Sequence, residues 1–178
     1  TEFAVLYPDV QIHCHHYSTP YPDFDHQYDL VFVLHEEPLP MSSWIGKTLL
    51  SFPQSIYCAL DDELLNTNEI KNIENYRVIL SSEDEQWFFR DKENIQVVSG
   101  GIAMILSSAE MRIEACQRAI GLVKLPDYIA KNNEKIRAVT FHRQVVAQQL
   151  TILYQSRNVP AKTRVFLDYF QSNIGCLS

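Results

Sequence analysis

The residues that most invite a chemical reading stand together at His13-Cys14-His15-His16, since imidazole and thiolate are common ligands of zinc and copper. Around them Val10, Ile12, Cys14 and His16 alternate with Gln11, His13, His15 and Tyr17, which predicts a strand over 10–17. Neighbouring side chains of a strand face opposite ways, so His13 and His15 share one side and Cys14 and His16 the other. No third ligand at metal spacing accompanies either pair. We therefore expect no metal, and read the histidines as a partly exposed face or a subunit contact. Acids cluster at Glu36-Glu37, Asp61-Asp62 and Glu83-Asp84-Glu85, each beside a turn or helix start, where carboxylates cap and complement the dipole. His142-Arg143, between two expected strands, offers either a guanidinium clamp for a carboxylate or a plain surface loop. The chain contains no G-x-S-x-G, G-x-G-x-x-G, G-x-x-x-x-G-K-[ST] or H-E-x-x-H, and Gly100-Gly101 stands alone. An enzyme reading has no motif behind it, and no cofactor is expected.

The composition sets the bounds. The 178 residues, 46% apolar and 21% charged, suit one soluble domain or two small lobes sharing a cleft. Fifteen basic against 22 acidic side chains leave a net charge of −7, a poor match for a phosphate backbone. Cys14, Cys58, Cys116 and Cys176 form no C-x-x-C pair, and all but Cys14 sit in apolar, periodic surroundings. Free buried thiols suit a reducing cytosol, so a cytoplasmic protein is expected. No signal peptide opens the chain, and the apolar runs 30–34 and 102–106 are far too short to span a membrane. The opening at Thr1, without an initiator methionine, leads us to expect a piece of something longer.

The elements that must position these groups alternate between strand and helix. A helical turn around Phe3, Leu6 and Tyr7 should stop at Pro8. Residues 30–34 read as a buried parallel strand, and 44–50, 55–60, 76–80, 95–98, 102–106, 122–126, 134–139 and 149–154 as further strands. Asp61 to Leu65 and Asp127 to Lys131 read as short helices. Ser107-Ser108-Ala109-Glu110 is a capping box for a helix with Ala109, Ile113, Cys116 and Ile120 on one face, and Gly121 should supply its left-handed stop. A last helix opens at Pro160, carries Phe166, Phe170 and Ile174, and should close at Gly175. Such alternation predicts an α/β architecture with mainly parallel sheets.

Four segments, in order, resemble the effector-binding domain of LysR-type transcriptional regulators. They are FAVLYPDV (3–10), YDLVF (28–32), AIGLVKLPDYIA (119–130) and LTILYQSRNVPAKTRVFLDYF (150–170). The resemblance implies an α/β, two-lobed fold of the type-2 periplasmic-binding-protein kind, with two crossover strands. Residues 1–54 and 152–178 would form lobe one and 55–151 lobe two, the crossovers falling near 51–58 and 149–154. The resemblance further implies a small effector, favoured to be anionic, bound between the lobes. It would control a DNA-binding helix-turn-helix head that this chain lacks. The cleft candidates are Ser18 and Thr19 after the second strand, Phe52, Pro53 and Gln54 at the hinge, and Ser107 and Ser108 at a helix start. For the serines, plain capping is an equal alternative.

Antiparallel pairing of two copies, a further implication, would join Phe3, Leu6, His13 and His15 of one to Met111, Arg112 and Ala115 of the other. The full-length protein would then be a dimer or tetramer, with DNA met only through the head and no membrane contact. The chain departs from the family pattern in three ways. The first strand of lobe one is absent, the segment between the second and third strands is short and proline-bearing, and Val123 stands where a second glycine is usual. A stand-alone solute-binding protein of the same fold is the alternative, against which four unpaired cysteines argue.

Overall fold

The structure, a computed structural model, describes residues 2–15, 28–39, 43–62, 69–92, 94–155 and 159–173. In chain order the first half comprises α1 (Glu2–Leu6), β1 (Val31–His35), β2 (Ile45–Phe52), β3 (Gln54–Ala59), β4 (Glu69–Ile70), β5 (Arg77–Leu80), β6 (Phe88–Asp91) and β7 (Asn94–Val97). The second half comprises β8 (Gly101–Ile105), α2 (Ala109–Gln117), β9 (Leu122–Pro126), α3 (Asp127–Ala130), β10 (Ile136–Phe141), β11 (Gln144–Val145), β12 (Gln148–Tyr154) and α4 (Ala161–Asn173). The chain divides into two compact units, residues 1–51 with 149–178, and residues 52–148.

The first unit is built on a sheet of order β1-β12-β2. β1 lies antiparallel to β12, from Val31 opposite Leu153 to His35 opposite Gln149. Val33, Trp44 and Leu153 make its core. α1 closes one turn, Tyr7 N–H to Phe3 carbonyl at 2.9 Å, before Pro8 ends it. Phe3 is buried against the rings of Tyr7, Phe166 and Tyr169 at centroid distances of 4.8, 5.0 and 5.3 Å. The fourfold spacing of Phe166 and Phe170 also brings both rings of α4 to Phe32 of β1.

The second unit has a six-stranded sheet of order β4-β10-β3-β9-β5-β8 and a three-stranded one of order β11-β6-β7. The larger sheet is mixed: β5 runs parallel to β8 and β9, β4 parallel to β10, while β3 is antiparallel to both β9 and β10. Both faces are buried. Tyr57, Ile79, Val123 and Leu125 pack on one face with Ala115 and Cys116 of α2. Ile56, Cys58, Val78, Leu80 and Leu122 pack on the other with Trp87, Phe89 and Val98. That explains why these strands read as unbroken apolar runs rather than as alternations.

Several expectations are corrected. Residues 10–15 are not a strand, because alternation forms a ladder only where a neighbouring strand accepts its hydrogen bonds. The 30–34 run pairs antiparallel rather than parallel, and Phe32 and Leu34 keep substantial exposure. The sheets are mixed rather than mainly parallel. The left-handed residue after α2 is Ala119, at φ 54°, not Gly121. Gly121 is required for space: a Cβ there would stand 2.7 Å from the Arg77 carbonyl oxygen. Gly100 has the same role, 2.6 Å from the Tyr76 carbonyl oxygen. Ser108 alone caps α2, and Glu110 accepts from its hydroxyl instead of reaching back to a backbone amide. β6 was not foreseen. His16, most of Asp61 to Leu65, Ile174 and Gly175 lie outside the described residues.

Two outcomes are expected. Gly121→Ala should cost about 1–3 kcal/mol in urea unfolding, as overpacking against backbone does. Burial pushes the Cys116 thiol from its ordinary 9 up to about 12. The fold therefore favours its protonated form. The resulting stability is complete below pH 9 and lost as the pH rises from 9 toward 12. Cys116→Ala should flatten this alkaline slope in urea titrations.

Candidate functional site

Residues 52–54 carry the chain from β2 into β3, and three contacts, one of them seconded by a Tyr57–Asp127 hydrogen bond, fix them. The Phe52 and Tyr128 rings lie 5.2 Å apart. Asp127 N–H donates to the Pro53 carbonyl at 2.9 Å, and the Asp127 carboxylate accepts from the Tyr57 hydroxyl at 2.9 Å. Burial first, and the Asp127 hydrogen bond second, push the Tyr57 phenol up to about 12. The Gln54 side-chain amide donates to the Val146 carbonyl at 3.0 Å, just before β12 leaves the unit. Gln54 is buried and uses an amide N–H for this bond, so it acts as a strut; Pro53 is exposed and Phe52 half-buried.

The same pair of strands is tied on the side of the first unit. Thr151 of β12 is buried, 3.1 Å from the Thr48 hydroxyl of β2 and 2.7 Å from His35 Nε2 at the end of β1. His35 Nδ1 lies 2.7 Å from the Glu37 carbonyl. A carbonyl only accepts, which assigns the proton to Nδ1 and leaves Nε2 to accept from Thr151 in the neutral ring.

At the start of α2, Ser108 Oγ accepts from Met111 N–H at 3.3 Å and donates to Glu110 at 2.6 Å. That hydrogen bond holds the Glu110 carboxyl below its ordinary range. A carboxylate already stands at this helix end, so the capping reading of Ser108 is favoured over an anion contact there; Ser107 is exposed. Ser18 and Thr19 lie outside the described residues. Among the described residues no three His, Cys, Asp or Glu are grouped to hold a metal.

Of the interface candidates, Leu6, His13, His15 and Met111 are exposed. Phe3 and Ala115 are buried inside their own units and offer a partner little surface. Arg112 is largely buried and faces Glu85 at 3.8 Å. Glu85 also faces Lys124 at 3.9 Å, an ammonium that donates to the Gln86 carbonyl at 3.2 Å. This cluster was missed. Its one legible signal is a lysine inside the apolar run Leu122-Val123-Lys124-Leu125.

Gln54→Ala should lower unfolding free energy by about 1–2 kcal/mol, since it deletes one bond and orphans a buried carbonyl. Chemical denaturation of the variant beside wild type checks this.

The family model described as the LysR substrate binding domain matches residues 1–175. No curated protein matches the chain. Solved structures do. The full-length Vibrio cholerae virulence activator AphB, a member of the LTTR protein family, superposes with a TM-score of 0.72 at 16% identity, over 96% of this chain and 60% of that one. This chain thus spans 60% of the length of that protein. The regulatory domain of AphB from Vibrio vulnificus gives 0.72 at 16% identity, covering 99% of this chain and 89% of the other. The regulatory domain of CcmR from Synechocystis PCC6803, in complex with 2-PG, gives 0.71 at 14%, covering 96% and 86%. The fold is accordingly that of LysR substrate-binding domains, which is periplasmic-binding-protein-like. With its four resembling segments and nearly its whole length matched, the chain belongs to the LysR substrate-binding domain family.

Proposed function

We propose that this chain is the effector-sensing and dimerising part of a LysR-type transcription regulator. A small molecule binds this part and controls DNA binding by a helix-turn-helix head elsewhere in the full-length protein. The observation that carries this reading is the family match over residues 1–175. Two further features support it. The chain passes between its units on two extended strands that are tied together at Gln54 and Val146 and again at Thr48 and Thr151. Pinned connections of this kind join two units without a loose tether. The net charge of −7 leaves the DNA phosphates to another part of the protein. In this reading the chain catalyses nothing and works in the cytoplasm. Buried, unpaired Cys58 and Cys116 suit that compartment and speak against a secreted solute-binding protein.

Pairing is part of the proposal. Val5, Leu6 and Ile12 of the first unit and Ile102, Met104 and Met111 of the second are large apolar side chains left exposed. Two copies placed antiparallel would cover both sets. Phe3 and Ala115 drop out of this interface because they are already buried.

A thermal-shift screen with small carboxylates and aromatic acids tests the sensing role. A ligand at a hundred times its Kd should add about 2.7 kcal/mol and raise Tm. A panel without any stabilising member would count against it. Sedimentation tests the pairing: wild type should be a dimer and Met111→Asp a folded monomer. Ile113→Asp is the poorer probe, because Ile113 packs on the core of the second unit.

A further inference from the structure

One strand of the second unit has a whole edge uncovered. β7 ends the three-stranded sheet, and among the described residues no strand lies beyond it. All four of its residues are exposed, Ile95 at 46% and Val97 at 51%. β7 lies antiparallel to β6, with Phe89 opposite Gln96 and Arg90 opposite Ile95. Just past it, Val98 N–H donates to the Trp87 carbonyl at 3.1 Å. Bonded and unbonded pairs alternate along such a ladder, so Asn94 and Gln96 spend their backbone groups on β6. The N–H and C=O of Ile95 and Val97 therefore point to the open side. Exposed edges are commonly blunted by a lysine, a proline or a bulge. Here residues 94–101 carry no charge and no proline, and the register of β6 with β7 is unbroken.

We propose that β7 is an interface with a second copy of this chain, joined edge to edge about a two-fold axis through Gln96. The edge is complementary to itself. Turned about that axis, Ile95 of each copy lies opposite Val97 of the other, and each such pair exchanges both backbone hydrogen bonds. The same pairs set apolar side chains side by side on one face, since residues two apart in a strand point the same way. An uncharged edge meets no repulsion from its own copy, whereas a partner recognised by charge would find nothing there to pair with. The size of the contact agrees. A strand of four residues covers far less than a stand-alone complex buries, about 1,600 Å² in all. It suits partners that arrive as pairs, where more than one edge can engage and the contacts reinforce each other. Neither Ile95 nor Val97 belongs to the pairing proposed above, so β7 joins dimers into larger assemblies. That last step rests on the earlier pairing; the edge contact itself does not.

In this arrangement Gln96 sits on the axis in an unbonded pair, whose Cα atoms stand about 4.5 Å apart, within reach of a disulfide. The test is Gln96→Cys with Cys14 and Cys176 replaced by serine, oxidised with diamide and read on a non-reducing gel. A cross-linked pair of chains is expected. Asn94→Cys, displaced along the strand from its counterpart by about 13 Å, is out of reach and should cross-link only at a background rate. Adding Val97→Lys to Gln96→Cys should slow the cross-link about tenfold or more, because the ammonium would be desolvated between the copies. Equal rates for Gln96→Cys and Asn94→Cys, or a cross-link indifferent to Val97→Lys, overturn the proposal. So does a Gln96→Cys chain that never cross-links; slow hydrogen exchange at Ile95 and Val97 would then give the edge to another segment of the same chain. Light scattering of the cross-linked product separates the two pairings. Four copies or more support both, and two copies support the β7 contact while counting against the earlier pairing.

Discussion

The second unit begins and ends on strands continuous with the first, so whatever holds residues 52–54 and 146–148 holds both connections. The hydrogen bond from the Gln54 amide to the Val146 carbonyl spans that pair directly. It is reinforced by the Pro53 carbonyl on Asp127 N–H and by the Tyr57 hydroxyl on the Asp127 carboxylate. Because the Gln54 amide is buried, its loss would leave a carbonyl that water cannot easily reach. On the side of the first unit, the hydroxyls of Thr48 and Thr151 and the ring of His35 join three strands in the same manner. Polar side chains that elsewhere would weaken a core here set the register of the strands on which the chain crosses.

Around these ties the packing differs between the units. The second unit buries both faces of a six-stranded sheet, which accounts for a core running from Phe89 and Ile70 to Cys116 and Leu125. The first unit relies more on aromatic contacts: Phe3 with Tyr7, Phe166 and Tyr169, and Phe32 with Phe166 and Phe170. Among the described residues of the second unit Lys124 is a buried lysine, which faces Glu85 and donates to the Gln86 carbonyl. Buried charges rarely repay their desolvation as stabilisers.

What could be read in the sequence was local or segmental. The Pro8 stop, the Ser108 cap and the helix that begins after Pro160 follow from the conformational rules of single residues. The family was legible because four segments keep its order along the chain. Pairing direction was not legible, since the run 30–34 is equally apolar whether its neighbour runs parallel or antiparallel. Nor was the 10–15 segment, whose alternation says nothing of a strand beside it. Glu85, Arg112 and Lys124 come from a loop, a helix and a strand far apart in sequence, so no spacing announces them. At Gly121 the residue type was informative but its reason was misread, because an approach to the Arg77 carbonyl is invisible in one dimension.

The central claim of the proposal is that this chain binds a small molecule and responds to it. Spin labels at Lys131→Cys and Lys162→Cys, both exposed positions and one in each unit, report on it when Cys14 and Cys176 are replaced by serine. Pulsed dipolar spectroscopy then gives the distribution of distances between the labels, with and without a saturating stabilising ligand. The account predicts that the ligand shifts this distribution to a new, narrower maximum. A distribution identical in the two states would contradict it.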